Sequence, residues 1–194
     1  MSLFKKKPPI TPTPTPTPGP LPSPSPVPLT IPHPEETMNP VAKATDVNVP
    51  EVIQQWLSVW NVPQQYWDYW KTAIDIRVVD GWSLDELATG LQITTPAYSM
   101  EVNGRRQLHS LAAWFNKGVT AHENCHNTYA LLTDDQKAAF TSAYTQLKTT
   151  GIIAYLYSIN SYGLTNDIEG HAEVYRYLGD QMPEVLKQFY HRLF

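Results

Sequence analysis

Val119-Thr-Ala-His122-Glu123-Asn-Cys125-His126-Asn-Thr-Tyr129-Ala130 decides how the rest of the chain is read. Inside it lies H-E-x-x-H. On an α-helix, residues four apart lie on one face about 5–6 Å from each other, so both imidazoles reach one metal ion. Glu123 stands beside that ion rather than bonded to it, where it can take a proton from a water the metal activates. A chance match is the competing explanation. The motif therefore needs a third ligand and an element to carry it.

Residues 161–176 supply both. Asn166 reads as an N-cap, its side chain accepting from the first-turn N–H groups. The helix it opens is expected to run to about Leu178, with Gly179 as the stop. Glu169 and Glu173 are four apart on it and share a face. Two carboxylates in that register repel unless a cation or an N–H donor lies beside them. A metal ion beside one and a histidine N–H beside the other remove the repulsion.

His122-Glu123-x-x-His126 followed by Tyr162-Gly163-x-Thr165-Asn166-x-x-Glu169-x-x-Ala172-Glu173-x-Tyr175-Arg176 resembles the zinc protease domain of anthrax lethal factor and its relatives. These include small secreted endopeptidases that cut between prolines, and all are thermolysin-like gluzincins. The resemblance covers residues 110–180 and extends over 51–194. It implies an α+β fold: a single thermolysin-like (gluzincin) catalytic domain, mostly helical, with a small β-sheet or hairpin before the metal helix. It also implies that His122, His126 and Glu169 hold Zn2+ and that Glu123 is the general base. Tyr162 matches the family tyrosine that stabilises the oxyanion, and Glu173 the carboxylate that orients a ligand histidine. The chain departs from the pattern at Gly170-His171, where relatives usually carry bulky apolar residues, and at Cys125, where a small residue is common. These departures bear on packing and substrate fit, not on the metal site.

Composition divides the 194 residues in two. Fifteen of the 18 prolines lie in residues 1–50, and all six tryptophans lie between Trp56 and Trp114. Residues 1–50 are expected to be a disordered Pro/Thr/Ser-rich tail and linker, and 51–194 one compact domain with a single core. Net charge is −4, and Lys5-Lys6-Lys7 is the only run of three basic residues, which argues against a nucleic-acid partner. A protein or peptide substrate and a monomer are the expectations. One cysteine excludes an intrachain disulfide and leaves the redox compartment open. No apolar run reaches transmembrane length. No apolar stretch follows the lysines, so a secretory leader is not expected, and localisation stays open.

Along the chain, residues 8–34 read as a polyproline II spacer, a tether first and a docking ligand or self-substrate second. Residues 35–50 read as irregular linker. Pro50 opens a helix with Val52, Ile53, Trp56, Leu57 and Trp60 at helical spacing. A second starts at Pro63 and carries Tyr66, Trp67 and Trp70. Ile74–Val79 reads as a strand, and Ser83-x-x-Glu86 as the capping box of a short helix ending near Gly90. Tyr98–Val102 and Arg105–Leu111 around Asn103-Gly104 read as a hairpin. In gluzincins an edge strand in that place pairs with extended substrate. His109 within it reads as a packing residue. The metal helix is expected over 117–132, and Thr133 caps the next, with Phe140 and Tyr144 on its apolar side. Residues 151–162 read as a loop or partly helical crossover that positions Tyr162, and Pro183 starts a final helix over 184–193.

Three protein ligands leave a position open for water, Glu123 takes its proton, and Tyr162 stabilises the oxyanion. Spacing supports a metal-dependent hydrolase, and the peptide substrate comes from the resemblance. Two other readings use the same residues: a catalytically inactive zinc-binding domain that recognises protein, and a non-peptidase zinc hydrolase. Retention of Glu123 speaks against the first. The absence of an upstream cysteine ligand speaks against a deformylase-like form of the second.

Overall fold

The computed structural model describes residues 38–39, 42–80 and 96–194. The Ser83–Glu86 capping box and the 8–34 spacer lie outside them. The fold is α+β: among the described residues there are seven α-helices and a three-stranded sheet.

Asn48 caps α1 (Val49–Val59) by accepting from Glu51 N–H, with Pro50 in the first turn where its missing donor is harmless. Ile53, Trp56 and Leu57 fall on one face and are buried. α2 (Gln64–Ala73) follows Pro63 and buries Trp70. Contacts begin ahead of Glu51: Asn39 N–H donates to the Ala113 carbonyl at 2.8 Å, Ala44 N–H donates to the Asp80 carboxylate, and Val47 packs on the core.

Strands β1 (Asp75–Val79), β2 (Ala97–Val102) and β3 (Arg105–Leu111) form one sheet in the order β1-β3-β2. β1 runs parallel to β3 and β2 antiparallel to it, with Tyr98 opposite His109 and Ser99 opposite Leu108. Asn103 (φ 51°) and Gly104 (φ 75°) make the two-residue turn, both in the left-handed region that such turns require. The central strand β3 is buried from Gln107 to Leu111. The strand directly ahead of the helix that carries H-E-x-x-H is thus the middle one, and among the described residues β2 is the edge strand beside it.

α3 (Lys117–Ala130) carries the H-E-x-x-H motif, and α6 (Asp167–Leu178) carries the two glutamates and packs against it. Between them come α4 (Asp134–Leu147) and α5 (Gly151–Ile159). Thr133 and Gln136 form a reciprocal capping box on α4, worth about 1 kcal/mol. Residues 151–159, expected within a loop or partly helical crossover, are a regular helix that buries Ile153, Leu156 and Tyr157. The last helix is shorter than 184–193: α7 spans Glu184–Lys187 only. Beyond Lys187 the chain continues in i→i−3 turns (Phe189 N–H to Leu186, Tyr190 N–H to Lys187), and Arg192 adopts φ 59° with its carbonyl accepting from Trp70 Nε1 at 2.7 Å.

Trp56, Trp60, Trp70, Phe140, Tyr144 and Tyr175 form the centre of the core. Trp60 Nε1 donates to the Tyr175 carbonyl at 2.8 Å, tying α1 to α6. Gly170 explains one departure from the pattern noted above. A Cβ there would collide with the Tyr144 hydroxyl, which bonds Tyr157 and the Gly163 carbonyl. His171 fills an aromatic pocket, stacked on Tyr190 at 4.0 Å with Phe140 and Tyr129 edge-on. Among the described residues no helix is long and apolar enough to cross a membrane.

Candidate functional site

Two caps set the site. The Asn116 side chain accepts from Val119 N–H at 3.0 Å and starts α3 just ahead of the motif. Asn166 accepts from Ile168 and Glu169 N–H, both at 2.9 Å, and places Glu169 in the first turn of α6. A carboxylate there is favoured by the helix dipole.

Packing α3 on α6 brings three donor atoms together. His122 Nε2 lies 3.1 Å from His126 Nε2 and 3.2 Å from Glu169 Oε2, and His126 Nε2 lies 3.6 Å from the same oxygen. Glu169 Oε2 is enclosed by protein and accepts no hydrogen bond in line, although two imidazoles face it. His122, Glu123 and His126 also form a group that could hold a metal ion, with donor atoms within 4.8 Å of one another. Glu169 is the better third donor, because its oxygen is closer to both imidazoles.

Glu173 closes the back of the site. Its Oε1 accepts from His122 Nδ1 at 2.6 Å and from Arg176 Nη1 at 3.3 Å, and its Oε2 accepts from Asn160 Nδ2 at 2.6 Å. Burial disfavours the charged form of His122, but the Glu169 and Glu173 carboxylates against its two nitrogens outweigh burial and raise its pKa to about 9. Burial and the charge on His122 hold His126 down to about 4. Glu169 is lowered despite its burial, because both imidazoles face it. The cluster is therefore built around positive charge at the point where the three donor atoms converge.

Glu123 is buried beside this point, and burial lifts its carboxyl to about 7 against the opposing pull of His122 and Ser99. Ser99 of β2 shares its hydroxyl proton between the Glu123 carbonyl and Oε2, the latter at 3.2 Å. A carboxylate near neutrality in a cleft is suited to taking and returning a proton. Tyr162 is 52% exposed, with its ring 6.0 Å from that of His122. Burial and the charges of Glu169 and Glu123 raise its pKa.

These groups line a cleft of ≈ 680 Å³. One wall is Pro96–Ser99 of β2 with Trp114, and the other is Asn160, Tyr162, Ile168 and Arg176. The volume lies in the range of sites that enclose a ligand. All six residues singled out from the sequence (His122, Glu123, His126, Tyr162, Glu169 and Glu173) meet here.

The other described histidines and the cysteine do not join them. His109 is buried between Tyr98 and Gln107, and burial lowers its pKa. His171 bonds the Phe189 carbonyl at 3.0 Å. Cys125 is buried in the core, and burial raises its pKa. Ser99 and Asn160 were not foreseen, and Arg176 stood in the quoted motif without a role. Their only sequence signals are polarity at an inward strand position and proximity to Tyr162 and Glu173. No family model matches the chain, and neither a curated protein nor a solved structure matches it.

Proposed function

We propose that this protein is a zinc-dependent endopeptidase with a thermolysin-like (gluzincin) site. The observation that carries the reading is the triangle of His122 Nε2, His126 Nε2 and Glu169 Oε2, with sides of 3.1, 3.2 and 3.6 Å. Tetrahedral zinc with ligands at about 2.0–2.1 Å requires donor separations of about 3.3–3.4 Å. Donor chemistry fits as well: two imidazole nitrogens and one buried carboxylate oxygen without a hydrogen bond, with Glu173 fixing the outer nitrogen of His122.

Zinc in such a set acts as a Lewis acid that acidifies water and polarises a carbonyl. Glu123 takes the water proton as the carbonyl is attacked, and returns it to the leaving amine. Tyr162, which lines the cleft, offers its hydroxyl to the developing oxyanion. Glu173 keeps His122 Nδ1 as the donor, so that Nε2 keeps its lone pair for the metal.

The shape of the cleft supports a peptide substrate. Among the described residues β2 pairs with β3 on one side only, and Ala97–Ser99 line the cleft. An extended peptide laid along that edge would pair with it as an added strand and bring a carbonyl to the triangle.

The test is elemental analysis of the purified full chain, followed by digestion of a diverse peptide library and mass spectrometry of the fragments. About one zinc per chain and a defined cleavage pattern absent from Glu123→Gln are expected. No zinc after reconstitution, or a pattern unchanged in Glu123→Gln, would reject the reading.

A further inference from the structure

Asn160 ends α5 and stands between the two halves of the site. Its Nδ2 donates to Glu173 Oε2 at 2.6 Å and to the Tyr177 hydroxyl at 3.1 Å, and its Oδ1 accepts from Tyr162 N–H at 3.0 Å. The amide has one orientation that serves all three contacts. A carboxylate oxygen needs the NH₂ end, and a backbone N–H needs the oxygen. Glu173 in turn holds His122, and Tyr162 is the first residue of the turn that reaches the cleft. The rest of that turn is pinned from behind, where the Tyr144 hydroxyl donates to the Gly163 carbonyl at 2.8 Å and the Tyr157 ring lies against Gly163. With Gly163 fixed, the bond to Asn160 sets where the Tyr162 backbone leaves α5.

We propose that Asn160 is a positioning residue: one side-chain amide orients His122 through Glu173 and sets Tyr162 through its backbone. The inference rests on the zinc peptidase reading above. The two arms make different demands. Through Glu173, loss of the amide frees one carboxylate oxygen, lets the carboxylate rotate and weakens the fixed direction of His122 Nε2. Through Tyr162, it frees the first residue of the turn and spreads the positions of the phenol. The first arm acts on metal affinity and the second on turnover at saturating metal.

The experiment compares the full-length parent, Asn160→Ala and Tyr177→Phe. Zinc affinity is measured by competition with a chromogenic chelator at 25 °C, and turnover on a peptide that the library digestion identifies. Asn160→Ala should raise the zinc dissociation constant about 10–100-fold, the usual size for a partner of a ligand histidine. Tyr177→Phe leaves both arms in place and should match the parent. At saturating zinc, Asn160→Ala should lower kcat at least tenfold with KM within about twofold. In a Tyr162→Phe background the same change should cost about twofold or less, because the group it positions is gone. Should Asn160→Ala fold poorly, Asn160→Ser, too short to reach Glu173, takes its place. A lower melting temperature with unchanged zinc affinity and kcat would make Asn160 structural and overturn the proposal. So would full additivity with Tyr162→Phe together with parental zinc affinity. Failure of the parent itself to bind zinc would instead reject the underlying reading.

Discussion

Glu173 Oε1 stands 2.6 Å from Nδ1 of His122, across 51 residues of chain, and fixes which imidazole nitrogen faces the cleft. Glu173→Ala should weaken zinc binding about 10–100-fold without abolishing it. Glu169→Ala should remove most of the affinity, because it takes away a donor atom of the triangle. Chelator competition on both variants checks the ranking, and equal losses would remove the distinction between ligand and orienting group.

Glu123→Gln keeps size and shape beside Ser99. It should keep the fold and the zinc, and lower cleavage by about 10²–10⁴-fold, the range for loss of a proton-transfer group. Circular dichroism, metal content and peptide turnover on one preparation suffice. Parental turnover in this variant would exclude Glu123 as the base.

Tyr162→Phe removes only a hydroxyl from a half-exposed ring. If that hydroxyl meets the oxyanion, kcat should fall about 10²–10³-fold with KM little changed. Melting temperature should hold, since Tyr162 is not packed in the core. A kcat equal to that of the parent would take Tyr162 out of the mechanism.

His171 gives a pH dependence separate from catalysis. Its buried imidazole bonds the Phe189 carbonyl, which leaves Nδ1 without a partner, and burial lowers its pKa to about 3. The folded pKa lies below the unfolded value of about 6.5. The neutral ring thus contributes stability above pH 6.5, and that contribution is lost as pH falls toward 3. His171→Phe should flatten the acid limb of melting temperature against pH. An unchanged acid limb would show that other groups set it.

The N-terminal boundary has its own test. Deleting residues 1–37 should leave the melting temperature unchanged. Deleting 1–48 should lower it, because the Asn39–Ala113 bond, the Ala44–Asp80 bond and the Val47 packing go with it. Equal melting temperatures for the two truncations would show that these contacts add nothing to stability.

Local chemistry made much of this legible in the sequence. His122 and His126 four apart, Asn166 ahead of Glu169, Thr133 ahead of α4 and Asn103-Gly104 between two strands each act within a few residues, and a reading of spacing finds them. Contacts made across the fold were not legible. Ser99 reaches Glu123 only because β2 lies along α3, and Asn160 reaches Glu173 only because α5 turns back on α6. Residues 151–159 are apolar nearly throughout, so their periodicity did not separate helix from loop. The 184–193 helix was over-read because the spacing of Val185, Leu186 and Phe189 does not separate an α-helix from the successive i→i−3 turns that follow Lys187.

Gly170 sits between Glu169 and His171 and donates no atom to the cleft, yet the Tyr144 hydroxyl occupies the space a methyl group would need. Alanine, normally the better helix former by about 1 kcal/mol, is therefore the wrong residue there. A saturation-mutagenesis map of this chain would mark position 170 as intolerant as Glu169 beside it, for purely steric reasons. Loss of function alone would then assign chemistry to a residue that has none. Rescue separates the cases: Tyr144→Leu, which removes the ring carbons as well as the hydroxyl, should restore alanine at 170, whereas no second-site change of that kind should restore alanine at 169.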